Sequence, residues 1–386
     1  MPGRTYLMPY RNRRLSEVVI PGAHDAGVYT QNSANVQTQS LDIGEQANAG
    51  CRFFDLRIAA YKANVGGQTV YQNKAYHLDG KLVVNHSVKN QGSIKSYQNV
   101  GHAGGWGGGL DEMLDQAKAF VEANETEFLI LKFSKCNNWP SVAEACVARL
   151  GTAHYKDGGN LNNKLVRQLA GKVITVFDEE ARKELTPVIT AQRGSPHGIL
   201  FVKALFDKKT GRSKGYEPGY YGLQYFGKFS STDKVDKNTR KQAETLNAGA
   251  ATHMDVLGMM YWTTTGLLGN IQARNASMWT ETNIASLQKT WKSGLEASIT
   301  HRFGNEIDSA MRLAQTSGGA LGGRMKAFMP NIVMMDFVDD EKCNVIEALN
   351  TVAATSLLQL MVPAPKGPQP TPNSIQSHNR LGQMAR

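Results

Sequence analysis

The chain has 386 residues, too many for one small domain and suited either to one large α/β barrel with additions or to two modest domains. Its 41% hydrophobic content supports a substantial core, and a charged fraction of 20% excludes a largely disordered polypeptide. The formal charge of +10, from 43 basic and 33 acidic side chains, is either a soluble basic surface or an attraction to an anionic partner. No nucleic-acid-binding motif accompanies it, so a phosphorylated substrate or an anionic membrane surface is expected and a nucleic acid is not.

The N-terminal MPGRTYLMPYRNRRLSEVV has no apolar signal-peptide core, and no run of about 18 apolar residues occurs anywhere. The expectation is no transmembrane segment. The protein is then either cytoplasmic or exported without a cleaved signal, as a secreted effector would be. Val18-Val19-Ile20 reads as a buried strand that Pro21-Gly22 breaks, leaving His24 and Asp25 at its carboxyl end. A histidine there exchanges protons near neutral pH, and an adjacent acid orients its partner. Gln31 to Ser40 is polar and reads as a loop or short irregular helix.

Cys51 to Ile58 reads as one strand, with Phe54, Leu56 and Ile58 on one face and Phe53, Asp55 and Arg57 on the other. Opposite charges on one strand face suit the polar mouth of a barrel. Val65–Tyr71 and Ala75–His86 read as hairpin strands with Asp79-Gly80 as a turn, which puts His86 at a strand end like that of His24. Gly101 to Gly109 reads as a flexible loop, and no Gly-Lys-Ser/Thr follows that would make it a phosphate-binding loop. Its Trp106 either inserts at a membrane interface or folds back onto the body.

Beyond it, Leu110 to Val121 has helical spacing, and strands are expected at Phe128–Leu131, ending in Lys132, and at Val173–Phe177, ending in Asp178. A helix spans roughly Ser141 to Leu150, and a further strand Ile199–Val202 ends in Lys203. Lys203 to Lys241 reads as a long surface excursion, Met259–Thr263 and Ile332–Phe337 as late strands, the second carrying Asp336. This alternation implies a parallel sheet or barrel. Pro363 onward is Pro-rich and reads as an extended tail. Four cysteines without CxxC spacing argue against zinc; Cys136 and Cys146 are either joined in an oxidising compartment or, like the others, buried thiols.

Together the strand ends assemble His24, Asp25, Asp55, Arg57, His86, Lys132 and Asp336. Two histidines and a guanidinium suit phosphodiester cleavage: one ring takes a proton from an attacking hydroxyl, the other protonates the leaving oxygen, and the arginine balances charge on the phosphate.

The run IPGAHDAG, then GCRFFDLRI, DGKLVVNHS and IVMMDFVDD resembles the X domain of phosphatidylinositol-specific phospholipase C in its bacterial form. The match covers about Leu15 to Ser134 and resumes around Asp336. It implies an α/β fold, a distorted TIM-type (β/α) barrel with long loop insertions. One PLC-like phosphodiesterase domain would span 1–362, with 363–386 a flexible Pro-rich tail. It further implies a two-step reaction through a cyclic inositol phosphate at an anionic membrane surface.

By motif, His24 is the general base, His86 the general acid, Asp336 the partner of His24, and Asp25 the residue that positions Arg57 and His86. Lys132 and Asp55 would contact substrate. Arg57 stands where calcium-dependent relatives carry a carboxylate, which implies no metal and no cofactor. Ser134 stands where the bacterial enzymes carry an acid, so a different phospholipid or a glycerophosphodiester is the alternative substrate, and a non-catalytic lipid-binding module the alternative role. Asp178, Arg193, Tyr221 and Tyr225 are candidates for head-group contact. His77 and His102 are assigned to packing or the surface.

Overall fold

The structure is a computed structural model. It describes residues 3–31, 33–77, 104–190, 197–253, 255–264, 270–298, 300–301 and 329–352, together with the backbone of 83–88, 92–97, 191, 299, 302–303 and 353–361. Eight parallel strands close into a barrel in the order β1 (Ile20–Ala23), β13 (Pro330–Met335), β12 (Leu257–Tyr261), β11 (Gly222–Gly227), β10 (Ile199–Ala204), β9 (Lys172–Asp178), β8 (Phe128–Phe133) and β2 (Phe53–Leu56). Helices lie between successive strands, among them Leu110–Ala123 before β8, Trp139–Leu150 before β9 and Val235–Gly249 before β12. This is the TIM-type barrel that the family resemblance implies, and one of the two arrangements, parallel sheet or barrel, that the alternation of elements allows. No described helix is long and apolar enough to cross a membrane.

Between the second and third barrel strands the chain builds a five-stranded sheet, ordered β5 (Val83–Val88), β6 (Gly92–Tyr97), β3 (Ile58–Val65), β4 (Gln68–His77) and β7 (Gly105–Gly109). The single strand expected over Cys51–Ile58 is therefore two, and Arg57 is the residue at which the chain leaves the barrel for this sheet. A Gly66-Gly67 turn closes the β3–β4 hairpin, both glycines at positive φ. Asp79-Gly80 lies outside the described residues.

Three further expectations change. Pro21 and Gly22 do not break β1 but lie inside it, paired with Val333 and Met334 of β13. A Cβ at Gly22 would sit 2.5 Å from the Met334 sulfur, so a larger residue there would have to displace that inward-facing side chain. The Gly-rich segment supplies β7, and Trp106 packs edge-on against Tyr61 with ring centroids 5.3 Å apart. A Cβ at Gly107 would meet the Gly27 carbonyl at 2.1 Å, so this position is glycine because two backbones touch. Third, the supposed surface excursion contains β11, all six residues of which are buried.

Two apolar layers follow from strand alternation. Outward residues such as Phe54, Leu129, Leu131, Phe133 and Val333 pack under the helices, and inward residues such as Phe53, Ile130, Ile174, Leu223 and Met334 fill the barrel. Below the barrel, Arg52 and Glu127 form a fully buried ion pair at 2.8 Å. Glu127 also accepts from the backbone N–H groups of Tyr6 and Leu7, and Arg52 donates to the carbonyls of Ala47 and Cys51. All four cysteines are buried and free, so Cys136 and Cys146 are not joined.

Candidate active site

Most barrel strands change character at the carboxyl end. On β8, Phe128 and Ile130 point inward and Lys132 follows two residues later; on β9, Ile174 and Val176 precede Asp178. β11 ends its inward row on Tyr225, β12 on Tyr261, β2 on Asp55, and the β1 row continues to His24. The period of two thus carries polar groups to one rim, where a cavity of about 890 Å³ opens. Lys135, Lys203, Lys208 and Lys228 also line it.

His24 stands at the centre, buried, its ring stacked on Phe229 at 5.2 Å and edge-on to Tyr261 at 6.5 Å. Its Nδ1 donates to Asp336 Oδ1 at 2.9 Å, since the carboxylate accepts, which leaves Nε2 as the open nitrogen. Asp25 Oδ2 lies 3.9 Å from that Nε2 and accepts from His77 Nδ1 at 3.0 Å. Its other oxygen lies 2.9 Å from Arg57 Nε, an ionic contact without the alignment of a directed hydrogen bond. One carboxylate therefore gathers two imidazoles and a guanidinium.

Local backbone geometry makes this gathering specific. Asp25 has φ +43° and Phe337, directly after Asp336, has φ +49°. Aspartate tolerates the left-handed region, but a phenylalanine there costs about 1–3 kcal/mol. Surrounding contacts must hold it.

On the neighbouring strands, Asp55 Oδ1 accepts from Lys132 Nζ at 2.8 Å and from Ser134 Oγ at 2.9 Å. Asp178 faces the cavity without an ion-pair partner among the described residues.

The electrostatics follow from burial set against these neighbours. Burial opposes charge on His24, but Asp25 and Asp336 outweigh it and raise the ring's pKa above the ordinary value. Burial pushes the Asp336 carboxyl up, with His24 pulling against it. Asp25 is buried too, yet Arg57, His24 and His77 hold its carboxyl far below the usual range. Asp55 is likewise held low by Lys132 and Arg57 against its own desolvation. Asp178 has the opposite balance: desolvation dominates and pushes it to about 6.

His24, Asp25, Asp55, Arg57, Lys132 and Asp336 thus come together at the rim. His86 has a different place. It pairs with Ile94 inside β5, in the second sheet rather than at the end of a barrel strand, and its side chain lies outside the described residues. Arg193 and His102 also lie outside them, as does the tail over 363–386. Tyr225 and Asp178 line the cavity, whereas Tyr221 stands beside His197 and does not. No three described His, Cys, Asp or Glu side chains are grouped to hold a metal ion.

His77, expected to serve packing or the surface, instead joins the site through Asp25. A two-residue Gly-Gly turn fixes the hairpin register, with Val65 opposite Gln68 and Ile58 opposite Ala75. The same register brings Tyr76 to the Arg57 carbonyl, at 3.1 Å, and His77 to the site beside it. Taking Gly66-Gly67 as the turn would have exposed this; Asp79-Gly80 obscured it.

No family model matches the chain, and no curated protein matches it significantly. Among solved structures it is similar to the phosphatidylinositol-specific phospholipase C of Listeria monocytogenes, at 14% identity and a TM-score of 0.44, over 88% of this chain and 95% of that one. A phosphatidylinositol-specific phospholipase C of Staphylococcus aureus gives 15% and 0.46, over 88% and 94%. A calcium-dependent phosphoinositol-specific phospholipase C from Pseudomonas sp. gives 14% and 0.34, over 66% and 84%. Identities this low, with TM-scores under 0.5, do not bear on what the chain does.

Proposed function

We propose that the chain cleaves a phospholipid phosphodiester, phosphatidylinositol or a related lipid, by paired acid–base catalysis at an anionic membrane surface. The observation that carries this reading is Asp25, whose carboxylate meets His77 and Arg57 and lies 3.9 Å from the open nitrogen of His24. Two proton-exchanging rings and a fixed cation around one point match what an in-line displacement at phosphorus requires.

In this reaction His24 Nε2 removes the proton of a hydroxyl adjacent to the phosphate ester. The resulting oxygen attacks phosphorus and closes a cyclic phosphate, while the bond to the lipid oxygen breaks. His77, in place of His86, donates its proton to that leaving oxygen, and diacylglycerol departs. Arg57 balances the charge on the non-bridging oxygens, the task that calcium performs in metal-dependent chemistry, so no metal is required. In a second step water opens the ring, with the two histidines exchanging roles. Lys135, Lys203, Lys208 and Lys228 at the rim favour an anionic lipid surface.

A second reading keeps the chemistry and changes the head group, to another phospholipid or a glycerophosphodiester. Ser134 favours it: this residue donates to Asp55 where the resembling enzymes carry an acid. Incubation with vesicles containing phosphatidylinositol, phosphatidylcholine and phosphatidylethanolamine, followed by chromatography of both phases, separates the readings. Diacylglycerol formed only from the inositol lipid supports the first, and from another lipid the second. Lipid binding without any product, in wild type and His24→Ala alike, refutes both and leaves a binding module.

A further inference from the structure

Thr38 and Gln39 lie in the polar stretch Gln31 to Ser40, expected to be a loop or short irregular helix, yet both are fully buried. Their side-chain hydrogen bonds run to the two turns that carry the acid–base residues. Thr38 Oγ1 donates to the Asp25 carbonyl at 2.8 Å, and the Thr38 carbonyl accepts from Phe337 N–H at 2.7 Å. The two residues it holds, Asp25 and Phe337, are the two left-handed residues next to the dyad. Gln39 Nε2 donates to the carbonyls of His24 at 2.9 Å and Met335 at 3.3 Å, and its Oε1 accepts from Val338 N–H at 2.9 Å. The dipeptide is itself anchored, because both of its N–H groups donate to the Val28 carbonyl, at 3.2 and 3.3 Å.

We propose that Thr38 and Gln39 are positioning residues: a clamp that joins the β1 and β13 turns and sets the distance between His24 on the first and Asp336 on the second. The chemistry of an amide suits the task. Only a side chain with both a donor and an acceptor can bridge the His24 carbonyl and the Val338 N–H, and glutamine has both. Neither residue touches the cavity, so both act through the backbone of residues that do. The Thr38 carbonyl on Phe337 N–H is backbone and survives side-chain substitution, so it is loss of the Gln39 amide that frees the Met335 carbonyl and the Val338 N–H on either side of Asp336 and lets Asp336 move. In Gln39→Met the groups that face His24 are then rearranged on one side only. Asp336 withdraws, while Asp25, Arg57, Phe229 and Tyr261 keep their places.

This inference rests on the acid–base reading for its meaning, but its test does not need turnover. The His24 ring signal, identified by its loss in His24→Gln, is titrated by NMR without substrate in wild type, Gln39→Met, Thr38→Val and Thr38→Ser. Gln39→Met keeps volume and removes both hydrogen-bonding functions; Thr38→Val removes the hydroxyl alone, and Thr38→Ser restores it. The clamp predicts that the His24 midpoint falls by about one pH unit in Gln39→Met, which loosens Asp336, and in Thr38→Val, which loosens Asp25, the other carboxylate facing the ring, and that Thr38→Ser titrates like wild type. Where turnover of phosphatidylinositol micelles is measurable, kcat falls and KM holds. Folded variants that melt at lower temperature but titrate as wild type overturn the proposal. If Gln39→Met does not fold, Thr38→Val decides by the same criterion. A shifted titration in a protein that cleaves no phosphodiester upholds the clamp and refutes the reaction instead.

Discussion

His77 Nδ1 and Asp25 Oδ2 stand 3.0 Å apart, across the seam where the chain leaves the barrel for the second sheet. Asp25 follows β1, and His77 ends the returning strand of the hairpin, so the inserted sheet is part of the site rather than decoration on it. The first prediction follows. His77→Ala lowers turnover by about 100- to 10,000-fold, the usual worth of a general acid, whereas His86→Ala stays near wild type. A substrate with a nitrophenol leaving group restores His77→Ala, which no longer needs to protonate the departing oxygen, and does not restore His24→Ala. Steady-state assays on both substrates check this.

Arg57 touches the same carboxylate as an ionic partner at 2.9 Å. Lysine keeps the charge but loses the planar fork, so Arg57→Lys is predicted to lose about 100- to 1,000-fold in kcat. Turnover of the wild type is predicted to survive EDTA. Activity abolished by chelator and restored by calcium would refute the role given to Arg57.

The raised pKa of His24 sets the pH dependence. A general base must be neutral, so kcat/KM climbs with pH and its midpoint lies above the ordinary value of 6.5. Asp336→Asn removes one of the charges that hold the proton, and the midpoint moves down. Stability runs the other way. A group whose folded pKa is raised stabilises fully below its unfolded pKa and loses that contribution as pH rises through the folded value. Melting curves across the same interval should therefore show stability falling while turnover rises.

Asp178 carries a cost of the site. Its pKa is raised from 3.8 to about 6 by burial, so above that pH the folded state holds a charge it disfavours. Asp178→Asn is predicted to stabilise the protein by on the order of 2–3 kcal/mol at pH 8, and by nothing below the ordinary carboxylate pKa. Denaturant midpoints at two pH values test this. A gain equal at both would mean that packing, not charge, is responsible.

At the opposite end of the barrel, Arg52 and Glu127 are fully buried and far in the fold from the rim residues. Breaking one partner strands the other's charge, so Glu127→Gln should cost about 3–5 kcal/mol of stability. At a temperature where the variant is folded, kcat should be unchanged. Chemical denaturation and assay of the same sample check both parts.

What was legible in the sequence was local. Short apolar runs ending in His, Asp or Lys announce barrel strands whose inward row turns polar at one end, and β8, β9 and β13 follow that pattern. β11 was hidden because its Gly222-Leu-Gln-Tyr-Phe-Gly227 run is neither continuously apolar nor rich in branched residues; it is buried because its neighbours close over it. The positions of Thr38, Gln39 and His77 depend on contacts far along the chain, such as the Val338 N–H meeting Gln39, which no local period encodes. His77 was recoverable only through the hairpin register that Gly66-Gly67 sets.

The most direct test of the central claim is phosphorus NMR of phosphatidylinositol–detergent micelles during incubation with the protein. The account predicts a cyclic inositol phosphate signal that grows as the lipid signal falls, with the open phosphate following later, and neither change with His24→Ala. A lipid signal that stays constant, or an open phosphate that forms with no cyclic species before it, would contradict it.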